Sequence, residues 1–276
     1  MYSINCKGKL LSLAEPVVMG IINATPDSFY EGHLPLTEAA IQMKALAMLA
    51  EGAALLDIGG QSTRPGSERI SAQEEADRVL PVIEAIIRAA PDALLSIDTY
   101  QSSVARYAIA AGACIVNDIS AGEMDAAMIP AVAALQVPYI CMHMKGTPAT
   151  MQQQPVYENV LQEVLDYFIE KTAACTKAGI NDIIIDPGFG FGKTAAHNFQ
   201  LLKQLGALGI IGRPVLAGLS RKSTIWKTLQ ITAAEALNGT TVLNTIALQQ
   251  GAAILRVHDV KPAVEAIKLV QALQKA

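Results

Sequence analysis

The chain has 276 residues, carries 21 Lys and Arg against 25 Asp and Glu for a formal charge of −4, and is 51% hydrophobic. That is too apolar for a disordered chain, and the length suits an α/β barrel of about 250 residues better than two ordinary domains. The slight acidic excess argues against a nucleic-acid binder, which should carry a basic patch, and the uncharged stretches 126–144 and 236–255 are too interrupted by Pro, Asn, Thr, Gln and Gly to span a membrane.

In chain order, residues 3–7 and 9–13 flank Gly8 and read as a small hairpin, placed to plug the N-terminal mouth of a barrel. Short apolar runs then follow at 17–23, 55–59, 94–99, 115–118, 139–142, 183–186, 215–218 and 254–257. Several are continuously apolar, as expected of parallel strands buried on both faces. Helical periodicity lies between them: Val79, Leu80, Ile83, Ile86 and Ile87 form one stripe, and Val160, Leu161, Val164, Leu165, Phe168 and Ile169 another. Ser71-Ala-Gln-Glu74 has the form of a capping box, and Val260, Val264, Ile267 and Val270 give a last helix. Eight strand–helix units predict a closed (β/α)8 TIM barrel. The expected organisation is one domain over 1–276, with a hairpin at 1–16 and the barrel at 17–276. Without a CxxC pair or a signal peptide, Cys6, Cys114, Cys141 and Cys175 read as reduced core thiols of a cytoplasmic protein.

Polar residues fall directly after these strands: Asn23, Asp57 to Arg64, Asp98-Thr99, Asn117-Asp118, His143, Asp186, Ser220-Arg-Lys222 and Arg256-Val-His258. In a barrel, strand ends converge on the rim where active sites sit. A single strand-end Asp often only caps the next helix, and for Asp57 and Asp118 both readings stay open. Residues 187–234 hold no Asp or Glu but carry Lys193, Lys203, Arg213, Arg221, Lys222 and Lys227. Of these, Lys193, Arg221 and Lys222, with Arg64, Arg256 and His258 from other strands, are rim cations suited to a phosphate or pyrophosphate. Asn23 offers a hard oxygen ligand for Mg2+. Pro187-Gly-Phe-Gly-Phe-Gly-Lys-Thr194 ends like a phosphate-binding loop but has Pro where the first Gly is needed. Gly190-x-Gly192-x-x-Ala195 follows a strand but has no ribose-binding acid about 20 residues on. Cys141-x-His143 reads as packing, with no partner spaced for zinc.

As an ordered set these motifs resemble the dihydropteroate synthase family of bacterial folate synthesis: Met19 to Phe29, Asp57 to Gly66, Ser96-Ile-Asp-Thr99, Asn117-Asp-Ile119, Met142-His-Met144, Asp186 to Lys193, Ser220-Arg-Lys222 and Arg256 to Val260. The resemblance runs from about residue 17 to 260. It implies condensation of 6-hydroxymethyl-7,8-dihydropterin pyrophosphate with p-aminobenzoate, with Mg2+ required. It also implies that Asp98, Asn117, Ile119, Asp186, Lys222 and Arg256 hold the pterin. Thr63, Pro65, Gly190, Phe191, Ser220 and Lys222 would shape the p-aminobenzoate pocket, where sulfonamides also bind. Asn23, Arg64, Arg256 and His258 would take the pyrophosphate, Asn23 as the metal ligand; with Lys222 these four form the implied catalytic set. Loops near 24–36 and 60–70 are implied to close over the site, and the family implies a homodimer through the last helices. Tyr30-Glu31, Gln61 and Trp226 depart from the family pattern without removing a residue that has a role. Two further readings are a pterin-dependent methyltransferase barrel, against which Thr63-Arg64, Ser220-Arg-Lys222 and Arg256-Val-His258 count, and a non-catalytic pterin-binding paralogue.

Overall fold

The structure, a computed structural model, describes residues 2–25, 37–62, 69–147, 151 and 155–276. A two-stranded antiparallel hairpin, β1 (Ser3–Cys6) and β2 (Lys9–Ser12), precedes a sheet of eight parallel strands. These are β3 (Val17–Asn23), β4 (Leu55–Gly59), β5 (Leu95–Asp98), β6 (Ile115–Asp118), β7 (Tyr139–Met142), β8 (Ile183–Asp186), β9 (Leu216–Ala217) and β10 (Ile254–Val257). Their order is β8-β7-β6-β5-β4-β3-β10-β9, and a bridge from Ile185 to Val215 joins the two ends into a barrel.

Around it run α1 (Glu38–Ala50), α2 (Ala72–Ala89), α3 (Ser102–Ala111), α4 (Met128–Leu135), α5 (Val160–Ala178), α6 (Ala195–Lys203), α7 (Ser223–Leu229), α8 (Leu237–Gln249) and α9 (Val260–Lys275). No helix among the described residues is long and apolar enough to cross a membrane.

The strand alternation divides the apolar residues into two populations. Val18, Ile22, Leu56, Ile58, Ile97, Val116, Ile185 and Leu255 point outward and belong to one large core with the helix stripes of α2, α5 and α9. Met19, Leu55, Ile115, Ile140, Ile184, Leu216 and Ile254 point inward and form a separate floor at the starts of the strands. The hairpin completes that floor from below through Ile4, Cys6 and Leu13, all buried. Its edges are fastened by Asn5 N–H to Asp182 Oδ2 at 2.8 Å, Lys7 Nζ to the Ile109 carbonyl at 3.0 Å, and Lys9 to Asp92 at 2.9 Å. The lower barrel is therefore dry, and polar residues on the upper half of the strands sit above a sealed apolar base.

Two expectations need correction. Ser71 does accept from Glu74 N–H at 3.1 Å, but the Glu74 carboxylate turns to Arg78 at 2.6 Å instead of completing the capping box. The strand expected at 215–218 shrinks to Leu216–Ala217, with Val215 joined to Ile185 by an isolated bridge before it. The connection before it also contains a 3-10 segment, Leu205–Ile211, that apolar periodicity did not signal.

Candidate active site

Two residues beyond the floor, the same inward alternation delivers polar groups. Asp57 follows Leu55, Asn117 follows Ile115, Asp186 follows Ile184 and Arg256 follows Ile254, while Asp98 pairs in register with Asn117. Arg256 spans this layer: its Nε donates to Asp57 Oδ2 at 2.6 Å and its Nη2 to Asp98 Oδ2 at 2.6 Å. Asn117 Nδ2 donates to the same Asp57 oxygen at 3.0 Å. Asp57 Oδ1 is buried with no hydrogen-bond partner among the described residues, so the layer keeps an unused acceptor.

Burial pushes the Asp98 carboxyl up to about 7, with Asp57 and Glu75 adding to the rise and Arg256 opposing it. Burial acts against the Arg256 charge, but Asp57 and Asp98 more than offset it and hold the guanidinium above its ordinary range. Asp186 is likewise raised by burial and restrained by Lys222. A polar layer in which each charge depends on its neighbours is stable only while the set is complete.

The wall beside it comes from the turns after β8 and β9. Asp186 Oδ1 accepts from Gly188 N–H at 2.7 Å. Lys222 Nζ donates to the Phe189 carbonyl and lies 4.6 Å from the centre of the Phe191 ring, a cation–π contact. Burial lowers the Lys222 ammonium to about 8, against the favourable field of Asp186. Ile119 and Phe191 join Tyr100, Met124, Met142, Met144 and Met151 in an apolar cluster of the upper barrel. Tyr100, Met124 and Met151 were not singled out from the sequence, whereas Met142 and Met144 belong to the Met142-His-Met144 motif; Met is adaptable enough to follow an irregular outline. At the next station Ser220 Oγ meets His258 Nδ1 at 3.0 Å and accepts from His258 N–H at 3.2 Å. Burial, then Arg256, lowers His258 to about 4, so the imidazole is neutral near pH 7.

Two of the expected phosphate-facing cations are turned into the fold. Arg221 forks onto both oxygens of Asp259 at 2.8 and 2.9 Å and donates to the carbonyls of Ala233 and Ala234. Lys193 is buried against His143 and loop carbonyls. His143 is thus occupied as a packing residue, and Cys141 lies in the outer core with Cys175.

The two strand-end aspartates left open also separate. Asp118 faces outward and accepts from Ser120 N–H and Oγ, Gly122 N–H and the Tyr139 hydroxyl, all within 2.8 Å. It builds a turn, whereas Asp57 belongs to the site. Asn23, half-buried, ends β3 opposite Gly59, and Gly190 N–H donates to Asn198 Oδ1 at 2.8 Å. Thr63, Arg64 and Pro65 lie outside the described residues, as do Tyr30 and Glu31. Gln61 bridges the two sides of that gap, accepting from Ile70 N–H and donating to the Ser62 carbonyl, each at 2.9 Å. Trp226 packs partly buried on the outer core with Lys227 over its ring.

Inward carboxylates, a carboxamide, one shared guanidinium and a flanking ammonium with a phenyl ring define a barrel enzyme for a flat, hydrogen-bonding heterocycle. The family model described as pterin binding enzyme matches residues 19–258. The chain is 44% identical over 274 residues to dihydropteroate synthase of Escherichia coli strain K12, covering 98% of this chain and 96% of that one. The solved Yersinia pestis dihydropteroate synthase with a sulfonamide drug complex superposes with a TM-score of 0.94 at 41% identity, covering both chains fully. The Xanthomonas albilineans dihydropteroate synthase in complex with 7,8-dihydropteroate gives 0.90 at 41% identity, again over all of both chains. The chain belongs to the dihydropteroate synthase family of pterin binding enzymes.

The contrast between the two aspartates is measurable. Asp118→Ala is expected to cost about 2–4 kcal/mol in urea unfolding, because several donors lose their acceptor, and to leave KM within about twofold. Asp57→Ala is expected to weaken pterin affinity by at least about tenfold in calorimetry, since a buried charge network loses a member. The reverse ranking would exchange the two assignments.

Proposed function

We propose that the upper barrel holds a dihydropterin on its carboxylate layer and transfers it from pyrophosphate to an arylamine. The chain condenses 6-hydroxymethyl-7,8-dihydropterin pyrophosphate with p-aminobenzoate to give 7,8-dihydropteroate and pyrophosphate. The observation that carries this reading is the inward layer of Asp57, Asp98 and Asn117, tied through Arg256 and Asp57, with Asp186 on the same inward parity beside it. Its donors and acceptors suit the edge of a pterin, and the related enzyme solved with 7,8-dihydropteroate supports the product.

Each side chain has a task its chemistry fits. Asp186 accepts the ring N3–H and 2-amino hydrogens as a charged, bidentate partner. Asn117 and Asp98 meet the ring's other nitrogens, with Ile119 as an apolar contact. Lys222 donates to the 4-oxo and N5 positions. Arg256, with two of its edges committed to carboxylates, offers a planar face for stacking. The C–O bond to pyrophosphate breaks with the electron pair leaving on oxygen. The resulting methylene cation is stabilised by the dihydropterin ring, and the amine lone pair then forms the C–N bond and the amine loses a proton. Catalysis is therefore positioning plus electrostatic stabilisation of the departing charge. Asn23, Arg64, Arg256 and His258 take the pyrophosphate. Gly190, Phe191, Ser220, Lys222, Thr63 and Pro65 frame p-aminobenzoate.

Mg2+ prefers oxygen, keeps several waters and takes one or two protein ligands when it comes with phosphates. Among the described residues no group of three or more His, Cys, Asp or Glu could hold a metal. The donor set fits an ion delivered with the pyrophosphate and held by Asn23. There it would supply neutralisation of the leaving group's charge. The chain works as one domain, in the cytoplasm, as a homodimer; Leu237, Val242, Leu269 and Leu273, exposed on α8 and α9, support that face as the contact.

The direct test follows pyrophosphate release from the dihydropterin pyrophosphate with Mg2+, with and without p-aminobenzoate. Release that rises with p-aminobenzoate and yields dihydropteroate is the expected result. Tight pterin binding without release would describe a non-catalytic paralogue instead.

The buried charges also set a pH window. Asp98 must be ionised to accept, so kcat/KM should rise as pH passes about 7; Lys222 must stay protonated, so it should fall again above about 8. Asp98→Asn should remove the acid limb alone, and an unchanged profile in that variant would take Asp98 out of the titrating set.

A further inference from the structure

The segment from Pro187 to Thr194 invites the reading of a lysine presented to a ligand, yet Lys193 points the other way. It is 3% exposed, and its Nζ lies 2.8 Å from His143 Nδ1, 3.1 Å from the Gly188 carbonyl, 3.1 Å from the Phe191 carbonyl and 3.3 Å from the His143 carbonyl. Among the described residues no carboxylate is within ion-pair distance of it. Burial pushes the Lys193 amine well below the usual lysine range, with the field of Asp186 opposing, so its place depends on the hydrogen bonds it makes. Here the curled loop supplies the acceptors itself.

The curl needs glycine. Gly188 and Gly192 have φ of +67° and +63°, and a Cβ on them would lie 2.0 Å from the His143 carbonyl oxygen and 2.3 Å from the Lys145 carbonyl oxygen. The loop therefore lies directly on the backbone that leaves β7, with its own carbonyls converging on one point. The convergence would be repulsive if no donor filled it. Outside this centre, the Tyr157 hydroxyl donates to the Gly192 carbonyl at 2.8 Å, and Asn198 accepts from Gly190 N–H while donating to Thr224 on α7. What the loop carries on its other side is the Phe189 carbonyl and the Phe191 ring, the two contacts that hold Lys222.

We propose that Lys193 is a positioning residue: its buried Nζ, shared between His143 and the loop carbonyls, fixes the curvature of the 187–193 turn and so seats Phe191 and Lys222 for the arylamine. The role rests on the reading that Phe191 and Lys222 line the p-aminobenzoate pocket. His143 is its partner through Nδ1.

The test compares Lys193→Met, Phe191→Leu and the double variant by steady-state kinetics in p-aminobenzoate. Each single change is expected to lower kcat/KM by about tenfold, and the double variant by little more than either, because both act through one ring; independent losses would multiply to about a hundredfold and overturn the proposal. Lys193→Met within about twofold of the parent would overturn it as well. A second pair guards against a variant that does not fold. His143→Asn keeps an acceptor and should stay within about threefold of the parent, while His143→Leu should lose about tenfold; equal activities would sink the idea.

One readout does not depend on turnover. With 4-fluorophenylalanine at the five Phe positions, the 19F resonance assigned through Phe191→Leu should shift or broaden in Lys193→Met while that of Phe168, buried in the outer core, stays put. A stationary Phe191 signal refutes the inference even if the parent proves inactive, whereas an inactive parent with the shift present would refute only the functional reading.

Discussion

Arg256 is the residue on which the upper barrel depends. Its guanidinium is shared between Asp57 and Asp98 at 2.6 Å on each side, inside a sealed structure whose base is apolar. Two carboxylates facing each other in a poorly hydrated space would each favour protonation, and one cation between them is what permits both to serve as acceptors. Replacing such a set with apolar residues would be no loss to stability in itself. Its presence is therefore a property of the site, and the cost is absorbed by the floor beneath and by the large outer core.

The dryness has a structural origin well away from the chemistry. The hairpin at the chain's start contributes Ile4, Cys6 and Leu13 to the floor and is tied to the barrel at Asp182, Ile109 and Asp92. Water is thereby kept from the lower half of the polar layer, which strengthens every charge interaction above it. Cations elsewhere divide by the same logic. Lys222 and Arg256 keep a face toward the site, while Lys193 and Arg221 are consumed by carbonyls and by Asp259 and act as internal fasteners. The fasteners hold the turns that carry Phe191 and Lys222.

Much of this was legible in the residues because parallel strands buried on both faces leave an unmistakable signal. The strands at 17–23, 55–59, 115–118, 139–142, 183–186 and 254–257 appear where the apolar runs end in polar groups, and the hairpin seats where its position predicted. Parity was the signal left unused: Ile115 faces in, so Asn117 faces in and Asp118 must face out, while Leu55 places Asp57 inside. Counting by twos separates the two aspartates without a structure. The fate of Lys193 and Arg221 was not legible, because a rim lysine and a buried one are the same letter, and only the curl of the 187–193 turn and the position of Asp259 decide between them. Nor does periodicity report a 3-10 segment such as Leu205–Ile211, whose side chains repeat every three residues over barely two turns.

The central claim is that Asp98 sits in a dry layer whose charge is balanced by Arg256. The measurement that tests it most directly is a 13C titration of the carboxyl of Asp98, assigned through Asp98→Asn, in the parent and in Arg256→Met. The account predicts a midpoint of about 7 in the parent and a higher one when the guanidinium is gone, because burial then acts unopposed. A midpoint in the ordinary carboxylate range near 4 in both proteins would mean a wet, independent carboxyl, and would contradict the account.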